Sequence, residues 1–86
     1  MELHQLRYVI AVVDAGTFTA GAELVRVSQS GVSTQIAKLE RELGLALFER
    51  TSRRVELTDA GRRLVPLMRR VIGVASVSYT HLTLPT

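Results

Sequence analysis

Leu3, Leu6, Val9, Ile10 and Val13 recur at helical spacing and Gly16 follows as a stop, which predicts a first amphipathic helix over residues 2–14. The next stretch, "GTFTAGAELVRV", predicts a short helix capped by Thr17 or Thr19, with Phe18, Ala22 and Val25 on one side. Gly21 inside it costs about 1 kcal/mol against alanine, which points to a close approach by a neighbouring element. In "VSQSGVSTQIAKLERELG", Ser28 suits an N-cap and Gly44 a left-handed C-terminal residue, so a third helix is expected from about Gln29 to Leu43. Val27 and Val32 are placed for a hydrophobic staple across its start. At about 100° per residue, Val32, Ile36, Leu39 and Leu43 share one stripe. Ser30, Thr34, Ala37, Lys38 and Arg41 fall opposite, with Gln29 and Ser33 at the margin. One face of this helix packs and the other is short, polar and unobstructed. Only "VRVS" separates the second and third helices, so they must cross steeply as a helix-turn-helix.

Beyond Gly44 the period changes. "LALFER" and "RRVEL" alternate imperfectly around "TSR", and Val55 and Leu57 suit a half-buried strand; a small two-stranded wing is expected. Thr58 then caps a further helix reaching about Ser76, with Asp59 in its first turn where a negative charge suits the dipole. Leu64, Leu67, Met68, Val71, Val74 and Ala75 form its apolar stripe, and Arg62, Arg69 and Arg70 lie on the far side. Pro66 should kink it on the polar side. An apolar stripe on a helix at the edge of a small domain invites a partner helix.

Composition narrows what such a chain does. Its 86 residues suit one small domain with a modest core, helped by a partner subunit, and exclude a multi-domain enzyme. Hydrophobic residues make up 47% and aromatic ones only 5%, as in a helical domain packed by aliphatic side chains. There is no cysteine, which removes disulfide scaffolds and thiolate metal sites. The longest apolar run, "YVIAVV", is too short to cross a bilayer, and neither a signal peptide nor a membrane span is expected. A cytoplasmic setting is the default. The net charge is +3, but Arg50, Arg53, Arg54, Arg62, Arg63, Arg69 and Arg70 cluster against only Glu56 and Asp59, a concentration that suits an anionic partner.

Catalytic chemistry finds no footing. Of the two histidines, His4 falls near the start of an amphipathic helix as a surface residue and His81 in a tail of different composition. The acids bring together neither a carboxylate pair nor a metal cage, and no phosphate-cradling glycine pattern occurs, so no cofactor or metal is expected. Nucleic-acid chemistry fares better. A helix with a small polar face can sit deep in a major groove, where Gln and Ser reach base edges and Lys reaches phosphate. Arg53 and Arg54 on the wing suit an adjacent minor groove. Arg62, Arg63, Arg69 and Arg70 read as a solvated face, with phosphate attraction open to Arg62 or Arg63. A different class of function is a protein-interaction module working through the apolar last helix, with the basic wing incidental.

The stretch "FTAGAELVRVSQSGVSTQIAKLERELGLALFERTSRRVELTDAG" resembles the winged helix-turn-helix of the LysR-type transcriptional regulators. The similarity runs in unbroken register from "LHQLRYVIAVVDAGTFT" through "LTDAGRRL". It implies a mainly α fold, with residues 1–58 as the DNA-binding domain and residues 59–76 as a linker and dimerisation helix. In that family a larger effector-binding domain follows, so the chain reads as a truncated regulator controlled by a small molecule only through the part it lacks. The resemblance further implies sequence-specific binding of double-stranded DNA at an inverted repeat by a homodimer. Base contacts would come from Gln29, Ser30, Ser33 and Thr34, a backbone contact from Lys38 and wing contacts from Arg53 and Arg54. Subunits would pair through Leu64, Leu67, Met68, Val71 and Ala75. Gly21 and Gly31 stand where the family more often has alanine, which is expected to loosen both helices without changing the fold. Thr34 stands where arginine is frequent, so a strong guanine or phosphate contact is expected to be absent there. The last ten residues, "VSYTHLTLPT", resemble the translation of a transposon-end sequencing adapter, and residues 77–86 are read as a non-native tail.

Overall fold

The computed structural model describes the backbone of residues 1–50 and 54–83, and the side chains of residues 1–50 and 54–73. The chain runs α1 (Leu3–Ala15), α2 (Phe18–Val25), α3 (Gln29–Leu43), β1 (Phe48–Glu49), β2 (Glu56–Leu57) and α4 (Asp59–Thr83). Local chemistry sets most of these ends. The Gln5 side chain accepts the Glu2 N–H at 2.9 Å, and Gly16 closes α1 in the left-handed region at φ 88°. Thr17, not Thr19, caps α2, its hydroxyl accepting the Ala20 N–H at 3.0 Å. Ser28 does the same for Gly31 at the start of α3, and Gly44 ends that helix at φ 71°. Arg26 ends α2 at φ 58°, the one non-glycine residue with positive φ among those described. A β-carbon there carries a cost that glycine would avoid, and nothing in the pattern of the sequence marks the position.

The core gathers one side of each helix. Val9 and Val12 of α1, Val32, Ile36 and Leu39 of α3, and Leu47 and Phe48 at the root of the wing are fully enclosed. Ala22, Val65 and Met68 close the cluster from α2 and α4. The expected contact at Gly21 is there: a β-carbon on it would stand 2.7 Å from Val12 Cα and 2.9 Å from Val12 N. Gly21 therefore lets α2 lie against the main chain of α1. At Gly31 a β-carbon would crowd Val27 Cγ1 at 2.9 Å and the capping Ser28 Oγ at 3.0 Å.

Two expectations about α4 need correction. The helix passes Ser76 without a break and runs to Thr83, because "VSYTHLT" contains no helix-breaking residue and the next proline is Pro85. Its apolar residues also form two stripes instead of one. Val65 and Met68, with Ile72 half-buried, face the core, whereas Leu67 and Val71 remain 50% and 51% exposed about a quarter-turn round the helix. Met68 is therefore committed to its own chain, and Val65, absent from the expected stripe, belongs to the core. Leu64 is half-buried between the two, Pro66 is exposed, and the side chains of Val74 and Ala75 lie outside the described residues. The expected solvated arginine face is partly engaged. Arg62 pairs with Asp59 and donates to the Leu57 carbonyl, and Arg69 grips Asp14 of α1 with both terminal nitrogens.

The wing is short. Its ladder pairs Phe48 with Leu57 and Glu49 with Glu56, antiparallel, and Val55 lies just outside it, donating its N–H to the Gly16 carbonyl at 3.0 Å. The α4 cap fastens the other side. Thr58 Oγ1 donates to the Ala46 carbonyl at 2.6 Å, the Thr58 N–H donates to the Leu47 carbonyl at 3.0 Å, and the same hydroxyl accepts the Gly61 N–H. Gly61 is pressed so closely on the Leu47 carbonyl that a β-carbon would overlap its oxygen.

Gly61→Ala is expected to destabilise the domain by about 1–3 kcal/mol, because main chain cannot yield as a flexible side chain can. Gly73→Ala in the same helix meets nothing within 4 Å and should stabilise by up to about 1 kcal/mol through helix propensity. Urea denaturation of both variants checks the opposite signs. The hydrogen bond from Arg69 holds the Asp14 carboxyl below its ordinary value of 3.8, so the unfolded chain binds the proton more readily and the pair contributes stability above that pH and loses it on further acidification. Both partners are about half exposed, so Asp14→Asn should cost less than about 1 kcal/mol at neutral pH. Denaturation from pH 7 to pH 3 should show the gap between variant and parent closing below about pH 4.

Candidate nucleic-acid interface

Helix α3 has two unlike sides. Val32, Ile36 and Leu39 are fully buried, which fixes the rotation of the helix, and the opposite side then faces outward by geometry. Ser30, Thr34, Lys38 and Arg41 are exposed there, Ser33 and Ala37 are half-buried beside them, and Gln29 is exposed at the margin in the first turn. The fold thus brings Gln29, Ser30, Ser33, Thr34 and Lys38 onto one surface of a single helix. None of the outward side chains before Lys38 is longer than glutamine, so a flat or grooved partner can approach the backbone closely. Among the described residues Lys38 and Arg41 make no ion pair, while Arg50, Arg62 and Arg69 are held by acids of the chain itself.

The first turn of α3 is ordered by its own hydrogen bonds. Ser28 Oγ accepts the Gly31 N–H and lies 3.3 Å from Ser30 Oγ. Thr19 of α2 donates its hydroxyl to Gln29 Oε1 at 3.1 Å across the turn between the helices. Ser33, Thr34 and Lys38, one to three turns further on, have no such partner among the described residues. On the opposite flank, Gln5, buried in α1, donates to Gln35 Oε1 at 3.1 Å, and His4 stands at the surface with its ring 5.4 Å from that of Tyr8, edge to face.

The wing is tied to α3 through a residue that sequence pattern did not single out. Glu40, whose side chain is only 13% exposed, accepts the Leu47 N–H at 2.7 Å and the Phe48 N–H at 3.4 Å. Its other oxygen receives Arg50 at 2.9 Å, and the Arg50 guanidinium lies 5.2 Å over the Phe18 ring, which meets Phe48 edge to face. One carboxylate thereby joins α3, the wing strand and, through two aromatic rings, α2. Arg54 is exposed on the returning arm, with its guanidinium beside Gly16, 3.6 Å from where a β-carbon there would stand. Arg53 lies outside the described residues.

Glu40, Arg50 and Thr19 escaped the sequence reading because their partners lie at separations with no local period. A carboxylate within a run of charged helix residues gives no sign that it will meet two loop amides. Among the described residues no group of His, Asp or Glu converges as a metal cluster, and no helix is long and apolar enough to cross a membrane.

Comparison with known proteins agrees with this geometry. Residues 3–62 match the model of the family described as bacterial regulatory helix-turn-helix protein, lysR family. The HTH-type transcriptional regulator ClcR of Pseudomonas putida is 46% identical over 78 residues, covering 91% of this chain and 26% of ClcR. The chain thus spans about a quarter of the length of that relative. Among solved structures, the CbnR_DBD–DNA complex superposes with a TM-score of 0.85 at 42% identity, covering 91% of this chain and 90% of that one. The BenM_DBD complex with benA site 1 DNA gives 0.90 at 35% identity, covering 96% of both chains. Matched by family, by relatives and by the placing of its four helices and wing, the chain belongs to the lysR family of bacterial regulatory helix-turn-helix proteins.

Proposed function

We propose that this chain is the DNA-binding part of a transcriptional regulator that reads duplex DNA sequence-specifically as a homodimer in the bacterial cytoplasm. The observation that carries the proposal is the outward face of α3, small and polar above a side locked in the core. Solved relatives at 42% and 35% identity whose structures are DNA complexes support it. In this reading α3 enters a major groove, where Gln29, Ser30, Ser33 and Thr34 meet base edges and Lys38 meets phosphate. The wing, through Arg53 and Arg54, follows the adjacent minor groove. Residues 1–58 form the DNA-binding unit and residues 59–76 the pairing helix, with Leu67, Val71 and Ala75 toward the partner and Leu64 at the margin. Residues 77–86 stand outside the functional unit. A two-fold pair of such domains makes the target an imperfect inverted repeat.

Selection from a random duplex pool should enrich a repeat with half-sites about one or two helical turns apart. Binding should weaken with salt, log affinity falling by about 0.9 per neutralised phosphate for each unit of log salt. Ser33→Ala and Gln29→Ala should change which sequences are enriched, whereas Arg54→Ala should weaken all of them and flatten the salt slope. A salt-independent, sequence-blind chain would instead support an interaction module working through α4.

Val71→Glu should abolish pairing and leave the domain folded, since that side chain is already exposed in the single chain; Met68→Glu should unfold it. Sedimentation equilibrium alongside circular dichroism separates the two effects. A dimer that survives Val71→Glu intact would count against pairing through this stripe.

A further inference from the structure

Thr19 is the second residue of α2 and Gln29 the first of α3, and the Thr19 hydroxyl donates to Gln29 Oε1 at 3.1 Å across the connecting turn. Thr19 does not cap its helix, a task done by Thr17, so this bond is its one hydrogen bond to another side chain among the described residues. Both residues are exposed at the end of α3 where the polar face begins.

The oxygen and nitrogen of a glutamine amide lie in one plane and point in different directions from the same carbon, the oxygen accepting and the nitrogen donating. The familiar pairing with adenine uses both: oxygen accepts from the N6 amino group and nitrogen donates to N7. With the oxygen turned toward α2 and bonded to Thr19, the amide nitrogen points away and presents two donors. A major-groove edge offering two adjacent acceptors and no donor is that of guanine, with N7 and O6. We propose that Thr19 is a positioning residue that sets the base preference of the reading helix, turning Gln29 from an adenine reader into a donor for guanine.

The inference rests on the DNA-binding function proposed above and is separable from it. Selection on random duplexes with the 86-residue chain, repeated with Gln29→Ala, identifies the base position whose preference Gln29 governs. Guanine is expected there. Thr19→Val keeps the shape and removes the hydroxyl, freeing the amide to turn; the guanine-over-adenine ratio at that position should fall about fivefold or more, and Thr19→Ser should restore it. A general loss of stability at position 19 would weaken binding to all sequences alike and would not redirect one base. Adenine at that position in the parent, no position altered by Gln29→Ala, or a ratio unchanged in Thr19→Val would each overturn the role given to Thr19. A parent chain that selects no sequence would overturn the DNA reading first, and this inference with it.

Discussion

Glu40 holds the two halves of the molecule in register. A ladder of two residues on each strand is too short to stand alone in water, and Glu49 facing Glu56 across it adds repulsion. Beside the burial of Leu47 and Phe48, what keeps the wing at a fixed distance from α3 is the Glu40 carboxylate on their amides, the shorter of the two charge-assisted bonds worth about 1.5–3 kcal/mol when shielded from water. Arg50 covers the same carboxylate and lies over Phe18, so the clamp is closed by an ion pair on one side and an aromatic face on the other. The Thr58 cap and the Gly16 carbonyl fix the remaining ends of the hairpin. Without these ties the polar face of α3 would still exist, but the wing would be held beside it by the burial of Leu47 and Phe48 alone.

A second constraint is the closeness of main chains. Gly21 lies on Val12 and Gly61 on the Leu47 carbonyl, and each removes a β-carbon where two elements touch backbone to backbone. Between them, α1 and the wing root set how near α2 and α4 can approach the centre. In a core dominated by valine and leucine, such contacts give the directional fit that aliphatic packing alone lacks.

The elements were legible in the sequence where local rules act. The bounds of α3 follow from Ser28 and Gly44, each with its expected geometry. The close approach at Gly21 follows from a glycine that a helix would otherwise avoid. The split of α4 into an inner and an outer stripe was not legible, since Leu64, Leu67, Met68 and Val71 spread over an arc wide enough for either side, and tertiary contacts, the docking of Gly61 against the wing root and the pairing of Arg69 with Asp14 among them, fix the rotation. The outward residues of α3 were legible because its buried stripe is unambiguous. Their hydrogen-bonded orientation was not, because Thr19 and Gln29 meet across a turn with no periodic signature.

The two stripes of α4 place the core of the domain and an open apolar face on one helix. Val65 and Met68 complete the interior of the domain while Leu67 and Val71, on the next face of the same helix, stay open. Anything that docks on the open side binds only when α4 is helical and seated, which is to say only when the domain is folded. By mass action such a partner raises the free energy of unfolding with the logarithm of its own concentration. With any such partner present, the melting point of this small domain becomes a property of the solution as much as of its own residues.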